Sequence, residues 1–434
     1  MSLFPERRAV QIHLKTLGCR LNEAELETWA RQFRQLGHRI TTDPDTADLL
    51  VINTCAVTEE AVRKSRRLIR RTQNSNPQAK LVVSGCYASL NPGETGDLPG
   101  VDLLIDNREK DQLPSLVNRQ LTDETMPVIA TEPGENPLFS RGRQRAFIKV
   151  QDGCRYQCTF CIVTRARGEE RSRPVDDIIG EINELHSQGI REAVITGVHL
   201  GGYGSDLDVD LYDLVTEILE RTEIPRLRLG SLEPWDIPEN FWELFRNPRL
   251  MPHLHLPLQS GTNSVLRRMA RRCKTADFST LVASARSHVP GLNITTDIIV
   301  GFPGETDAEW QETLLYLEHF DFGHIHIFAY SPRPDTRAAG LPNPVTESVK
   351  KKRSRELHAL LDSMRLRQLG KQVGKTVPVL VENFSDGKYW GYTPNYFRIG
   401  FDVEDDNVPA ESSILEITIT GVDEKKGVLS GAIT

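Results

Sequence analysis

The chain has 434 residues, of which 38 % are hydrophobic and 26 % charged, and its formal net charge is −7. That length exceeds the reach of a single hydrophobic core, so several compact domains are expected, and the balance of residue types excludes a disordered chain. No long apolar run and no basic leader ahead of an apolar stretch occurs, so the expectation is a cytoplasmic protein with no membrane association. Seven cysteines, an odd count without a secretion signal, argue against a disulfide framework. Net acidity speaks against a uniformly basic coat. Basic residues are nevertheless bunched at Arg63–Arg71, Arg267–Lys274 and Lys350–Arg355, each readable as a solvated helix face or as a nucleic-acid patch.

In chain order, Ile12–Leu17, Leu49–Asn53 and Leu81–Ser84 are short apolar runs, each followed by polar periodic sequence, and they predict a small parallel α/β sheet. Residues 121–143, rich in Pro, Gly and polar side chains, read as a linker. Six further strand-like runs follow at regular intervals: Ala146–Val150, Ala193–Thr196, Arg226–Gly230, His253–Leu258, Asn293–Val300 and His324–Tyr330. Helix-compatible stretches such as Asp176–Gln188 and Leu211–Arg221 separate them, which predicts a parallel barrel or part of one. A helix over Val345–Leu369 then leads to period-2 segments at Val377–Glu382 and Ile414–Thr420, the mark of a small β-barrel. The fold class expected is α/β, with domain limits near 8–121, 140–370 and 371–434.

The strongest chemical signal is Cys154-x3-Cys158-x2-Cys161, directly after the first barrel strand. Three thiolates on one short loop can close around one metal centre. A structural zinc site would want four ligands, usually as two separated pairs, and no second pair exists. A 4Fe-4S cluster held by three cysteines leaves one iron open to the amino and carboxylate groups of S-adenosylmethionine (SAM). The spacing, with Phe160 just before the last cysteine, resembles the radical-SAM superfamily.

Cys19, Cys55 and Cys86 are far apart in sequence, yet each ends one of the three N-terminal strands. In a parallel sheet those ends share one edge, where ligands collect and helix N-termini favour anions. Each alone could be a small buried hydrophobe. Three at equivalent positions point to a second metal centre. Cys273, in a basic helix-like stretch without partners, reads as structural.

Thr16–Cys19, Asn53–Cys55, Gly85–Tyr87, the triplet, Arg167-Gly168 with Arg171–Arg173, and Gly301–Thr306 together resemble the radical-SAM methylthiotransferases across nearly the whole chain. The resemblance implies an N-terminal domain whose Cys19, Cys55 and Cys86 hold an auxiliary 4Fe-4S cluster, a radical-SAM domain with the Cys154, Cys158 and Cys161 cluster, and a C-terminal TRAM domain. It also implies the mechanism. One SAM methylates a sulfur on the auxiliary cluster, a second yields a 5′-deoxyadenosyl radical that takes hydrogen from adenine carbon 2, and the carbon radical receives the methylthio group.

Wording around Val51–Thr58, Lys64–Arg66, Ser231–Ile237 and Tyr330–Arg333 looks most like the branch acting on N6-threonylcarbamoyladenosine next to the tRNA anticodon. Isopentenyladenosine in tRNA and an aspartate of a ribosomal protein are the family's other substrates, and a zinc-binding RNA adaptor is the non-enzyme alternative. Thr164 stands where the family commonly has proline. For SAM, position at strand ends suggests Gly197, Val198, Glu233 and Asp297, with Phe160 beside the cluster. In the TRAM-like tail, Tyr392, Tyr396 and Arg398 are candidate RNA contacts, against the alternative of aromatic core filling. Partners implied are the tRNA anticodon stem-loop, an electron donor such as flavodoxin or ferredoxin, and a sulfur source.

Overall fold

The computed structural model describes residues 9–121, 144–403 and 413–434. The chain forms two compact units, the first comprising the N-terminal residues with 153–155 and 161–169, the second the rest through Thr434. All but the first residue of the expected linker lie outside the described residues.

The first unit contains β1 (Gln11–Thr16), α1 (Arg20–Gln35), β2 (Arg39–Thr41), β3 (Leu49–Thr54), α2 (Glu59–Ser75), β4 (Lys80–Gly85), α3 (Cys86–Leu90), α4 (Pro92–Gly96), β5 (Leu103–Ile105) and α5 (Leu113–Gln120). Its five strands are parallel in the order β2-β1-β3-β4-β5. The three expected strands are its centre; β2 and β5 are three-residue edges too short to register as periodic runs. Because successive strand residues point to opposite faces, Leu49 and Val51 join one core with Trp29 and Phe33, while Leu50 and Ile52 join another with Ile69 and Tyr87. Both faces are covered, which is why β3 reads as an unbroken apolar run. In α2, Thr58 caps the start by accepting from the Ala61 amide at 3.1 Å, and Glu59 and Glu60 complement the first turn.

The second unit begins with β6 (Arg145–Lys149) and β7 (Gln151–Asp152); the short α6 (Val163–Arg167) that follows belongs to the first unit. Then come β8 (Arg171–Ser172), α7 (Val175–Ser187), β9 (Glu192–Thr196), α8 (Leu211–Arg221), β10 (Arg226–Leu229), β11 (His253–His255), α9 (Asn263–Arg268), α10 (Thr275–His288), β12 (Asn293–Val300), α11 (Asp307–Glu318), β13 (His324–Ala329) and α12 (Glu347–Gly370). The six strands predicted from sequence form two three-stranded parallel sheets, β10-β9-β6 and β11-β12-β13. A parallel bridge between Ser231 and His255 continues one into the other, giving an open arc rather than a closed barrel. β11 is half the expected length: beyond it the Leu258 amide donates to the Thr296 hydroxyl at 3.1 Å instead of to a β12 carbonyl. Cys273 lies between α9 and α10 instead of in a helix, and is buried.

The arc is apolar outside and polar inside. Ile294, Ile298 and Ile325 are fully or almost fully buried on the outer face. Its floor is ionic: Arg145, Glu192 and Arg226, in register at the strand starts, meet Arg228, with Glu192 bonded to Arg228 at 3.0 and 3.1 Å. Burial would raise the Glu192 carboxyl, but Arg228, Arg145 and Arg226 overcome it and hold the group down to about 2.

The tail is a closed five-stranded barrel, β14 (Thr376–Ser385), β15 (Lys388–Tyr392), β16 (Arg398–Asp402), β17 (Ile414–Asp423) and β18 (Val428–Ile433), in the order β14-β15-β16-β18-β17. Val379, Ile399, Phe401, Ile417 and Leu429 fill it. Its β15–β16 loop seats on the arc's floor: Arg226 donates to the Tyr392 and Thr393 carbonyls at 3.2 and 3.0 Å, Arg228 to Pro394 at 3.1 Å, and Asn293 to Asn395 at 2.8 Å. At the tip, Tyr396 holds a left-handed φ of 69°. That costs a non-glycine residue about 1–2 kcal/mol, offset here by the contacts of its ring.

Candidate active site and its two sulfur-bearing regions

In the first unit the strand order reverses between β1 and β3, the topological switch point where such sheets bind ligands. Cys19 follows β1 and Cys55 follows β3, flanking that crevice, and Cys86 follows β4. The three sulfurs are brought together: the charges of Cys86 and Cys19 both act on the Cys55 thiol. Gly18, at φ +110°, passes so close that a Cβ there would stand 2.8 Å from the Cys55 Sγ.

Desolvation pushes the Cys55 thiol up to about 11, with Cys86 and Cys19 adding to it and Arg167 opposing. Cys19 is exposed as a residue, but desolvation raises its thiol too, again against Arg167. Burial alone raises a thiol this way, as it does for Cys273, also pushed up to about 11. What fits an iron cluster is the set of three soft sulfur donors at the ends of neighbouring parallel strands, with Asn107 donating to one of them and Arg167 beside them.

Around them lies a buried polar shell that the sequence reading missed. Arg167, 2 % exposed, donates to Asn22 Oδ1 at 2.8 Å and Glu25 Oε1 at 2.9 Å. Lys110 pairs with Glu25 at 2.6 Å, and Asn107 donates to the Cys86 Sγ at 3.8 Å and to the Ala166 carbonyl at 2.7 Å. Arg167 ends α6, the helix that starts two residues after Cys161. It was visible in sequence only as part of a motif.

The division into units runs through the triplet loop, with Cys154 and Cys161 in the first and Cys158 in the second. All three cysteines are half-buried. Cys161 Sγ accepts from the Val163 amide at 3.4 Å, and Cys158 Sγ from Arg271 at 3.8 Å. Donors aimed at sulfur suit thiolates that share negative charge with a cluster. Gly153, at φ +75°, has no room for a side chain, since a Cβ would stand 1.8 Å from the Glu169 carbonyl. Phe160 packs against the cluster of Met269, Phe302 and Tyr330.

Of the residues expected to contact SAM, Gly197 and Val198 directly follow β9. A Cβ at Gly197 would stand 2.9 Å from Gln151 Oε1, which itself accepts from the His199 amide at 2.8 Å. Glu233, beyond the end of β10, is half-buried, but its Oε2 is buried and has no hydrogen-bond partner among the described residues; the buried Nε1 of Trp235 also lacks one. Burial raises the Glu233 carboxyl, against the charges of His199 and Arg271. An orphaned acceptor and an orphaned donor at the strand-end edge suit a ligand bearing ammonium and hydroxyl groups. Asp297 sits within β12, paired with His255 at 3.1 Å.

A second group missed by sequence reading surrounds Glu233. His199, fully buried, touches Glu170 with Nδ1 and Asp236 with Nε2, both at 2.6 Å. Burial lowers its pKa, but the bond to Asp236, the charge of Glu233 and the bond to Glu170 leave it raised. Tyr156, between Cys154 and Cys158, donates to Asp236 at 2.8 Å and packs edge-on against His199 and Trp235. Arg271 lies 4.3 Å above Trp235. Their shared signal was position just beyond strand ends.

In the tail, Arg398 is exposed over the Trp390 ring at 4.4 Å. Tyr392 and Tyr396 stack on each other at 4.8 Å, with Arg145 within 5.0 Å of both. Tyr396 also accepts from Arg145 at 2.7 Å and meets His253 at 4.8 Å, so its ring serves the seat on the arc.

Residues 148–317 match the radical SAM superfamily, and residues 11–106 match an uncharacterized protein family, UPF0004. A radical SAM methyltransferase from Kitasatospora setae shares the fold at a TM-score of 0.59 and 14 % identity, over 87 % of this chain and 79 % of that one. Fold and motif therefore define a radical-SAM enzyme that uses SAM and 4Fe-4S clusters.

The chain is 39 % identical to a threonylcarbamoyladenosine tRNA methylthiotransferase of Thermotoga maritima, over 90 % of its own length and 91 % of the relative's, and 35 % identical to one of Bacillus subtilis, over 91 % and 90 %. A tRNA-2-methylthio-N(6)-dimethylallyladenosine synthase of Bacillus subtilis is 34 % identical over 90 % and 80 %. The chain belongs to the radical-SAM methylthiotransferase family.

Proposed function

We propose that this enzyme methylthiolates carbon 2 of N6-threonylcarbamoyladenosine beside the anticodon of tRNA. The observation that carries the reading is the pairing, in one chain, of a C-x3-C-x2-C loop with three converging cysteines at the switch point of a parallel sheet. The nucleoside is supported by the relatives that bear that name at 35–39 % identity.

Cys154, Cys158 and Cys161 would hold the SAM-cleaving 4Fe-4S cluster, and Cys19, Cys55 and Cys86 the auxiliary one. When bound, these groups supply radical generation and the sulfur to be transferred. The chain's own residues do the rest. Arg271 and the Val163 amide offset charge on the triplet sulfurs, while Arg167 does so in the auxiliary pocket. Glu233, with Gly197, Val198, Asp297 and Phe160 nearby along the strand ends, would bind and orient SAM.

The domain limits assigned are 8–121, 140–370 and 371–434. Arg398 and Tyr392 of the tail would meet RNA, joined by the exposed basic face of α2 at Arg63, Lys64, Arg67, Arg70 and Arg71. Tyr396 would support them from its seat. An electron donor such as flavodoxin or ferredoxin, a sulfur source and a cytoplasmic location complete the reading. Among the described residues no helix is long and apolar enough to cross a membrane.

Nucleoside mass spectrometry of tRNA from cells with and without the protein tests the proposal. Loss of 2-methylthio-threonylcarbamoyladenosine is expected on deletion. Loss of the 2-methylthio-isopentenyl nucleoside instead would assign the chain to its other tRNA-modifying relatives.

A further inference from the structure

The inner face of the β11–β13 sheet carries an unusual stack of polar side chains. Register pairs Thr295 with both His255 and His324, Asp297 with His326, and Ile299 with Phe328, so these seven residues share one face in three levels. His255 bonds Thr295 at 2.9 Å and Asp297 at 3.1 Å, and its ring lies 5.3 Å from that of His326.

The lower end of this lumen is closed by Tyr396 against His253, above the Glu192 ion cluster. The upper end is different. His326 is exposed and Phe328 is 48 % exposed, with the two rings nearly parallel at 29° and 6.5 Å. β13 is also the edge of its sheet, with α12 packed against it so that Arg365 and His358 act on His324 at the lower level. Phe328 stands about 7 Å, two strand residues, below Tyr330, where the strand reaches the cofactor edge.

Asp297 apart, which also borders the residues assigned to SAM, none of these side chains is needed to hold a cluster or SAM, and an exposed ring beside mixed donors and acceptors is the form of a base-binding platform. We propose that this face is the subsite for the substrate nucleoside, with Phe328 stacking the purine and His326 donating a hydrogen bond to the polar N6 group, backed by His255 and Asp297.

The inference rests on the threonylcarbamoyl reading and sharpens it. A threonylcarbamoyl group offers carbonyl and carboxylate acceptors to His326 and His255, and N–H and hydroxyl donors to Asp297. An isopentenyl group offers neither and would leave the face unsatisfied. Sites built to bond polar groups reject analogues lacking them much more strongly than apolar pockets reject a size difference. His324 stays neutral in this setting: burial first, then the charges of His326 and Arg365, bring it down to about 4. It therefore adds no fixed charge of its own.

The test is equilibrium binding of anticodon stem-loops bearing either threonylcarbamoyladenosine or plain adenosine at the target position, to iron-loaded protein with SAM present. The wild-type protein is expected to prefer the modified RNA by roughly tenfold or more, the scale of one hydrogen bond to a charged group. His326→Phe should bring that ratio near one, with iron content and melting temperature unchanged, and His326→Gln should recover part of it. Phe328→Ala should weaken both RNAs together, by roughly tenfold for a lost stack. If wild type prefers the modified RNA and His326→Phe keeps the full preference, the subsite is wrong while the function stands. If wild type favours an isopentenylated stem-loop over both others, the functional reading fails and takes the subsite with it.

Discussion

The two cysteine sets bring three sulfurs to bear by opposite means. Cys154, Cys158 and Cys161 lie within eight residues of one loop, half-buried, with hydrogen-bond donors already directed at two of the sulfurs. Cys19, Cys55 and Cys86 span 68 residues and converge only because three parallel strands end at one edge. The first set depends on local chain geometry, the second on a folded sheet. Their environments differ accordingly. In the sheet pocket Cys55 and Cys86 are buried while Cys19 is exposed, and desolvation pushes the Cys55 thiol up to about 11 against the Val57 backbone hydrogen bond and the buried Arg167 guanidinium. Under the proposed assignment, burial of Cys55 and Cys86 would shield the sulfur to be transferred, whereas the more accessible loop would admit cofactor.

The comparison breaks most cleanly when one set is removed. The triple substitution of Cys154, Cys158 and Cys161 by alanine should abolish SAM cleavage while the protein still folds. An anaerobic assay yielding 5′-deoxyadenosine at the wild-type rate would refute the assignment. Cys55→Ala should instead leave cleavage running and stop methylthiolation, with bound iron falling from about eight to about four per chain. Persistent methylthio-nucleoside from that variant would return the N-terminal cysteines to a packing role.

Legibility in the sequence followed the same division. The triplet was plain because its spacing is local, and the N-terminal set could be read because each cysteine closes an apolar run that had to be a strand. The polar shells were not legible. Glu25, Lys110 and Arg167 come from three distant segments and meet only in the folded unit. His199 and Asp236, 37 residues apart, had no shared pattern beyond lying past strand ends. Arg145, Glu192, Arg226 and Arg228 looked like ordinary charges on strands, since an inward-facing polar lumen leaves the same alternation as an outward-facing polar surface. Tyr392 and Tyr396 read as candidate RNA contacts from the resemblance to a TRAM domain, and a resemblance within the tail could not show that Tyr396 also seats the barrel on the arc, since Arg145 and His253 lie far away in sequence.

A more graded change sharpens the contrast. Arg167→Met removes the cation beside the auxiliary thiols and leaves Glu25 with Lys110 as a buried partner. Breaking a buried pair typically costs about 3–5 kcal/mol, so the N-terminal unit should melt earlier. Beyond stability, auxiliary iron should be held more weakly and its cluster reduced at a lower potential, since a positive charge favours the reduced form. The triplet cluster should keep its spectroscopic signature. Arg167→Lys should restore much of the potential even if packing suffers. An unchanged auxiliary potential in Arg167→Met would mean that the arginine serves folding alone.

The smallest expected effect lies on the other side of the comparison, in the anchor of the triplet loop. Tyr156, inside that loop, is tied to Asp236, and Asp236 is shared with His199. Burial alone would lower the His199 pKa, but Asp236, Glu233 and Glu170 leave it raised above 6.5. A histidine with a raised folded-state pKa contributes stability fully below its unfolded value near 6.5, and loses that contribution as pH rises through the folded value. The iron-free protein should therefore lose thermal stability in its second unit as pH is raised from about 6 through the alkaline side of the His199 titration. His199→Gln removes that slope and costs about 1–3 kcal/mol, because two carboxylates lose a common charged donor. The N-terminal sheet, with no such histidine between carboxylates among its described residues, supplies the internal reference. Differential scanning calorimetry of wild type and His199→Gln at several pH values reads both. A slope that survives in the variant would place the titrating group elsewhere and leave His199 a packing residue.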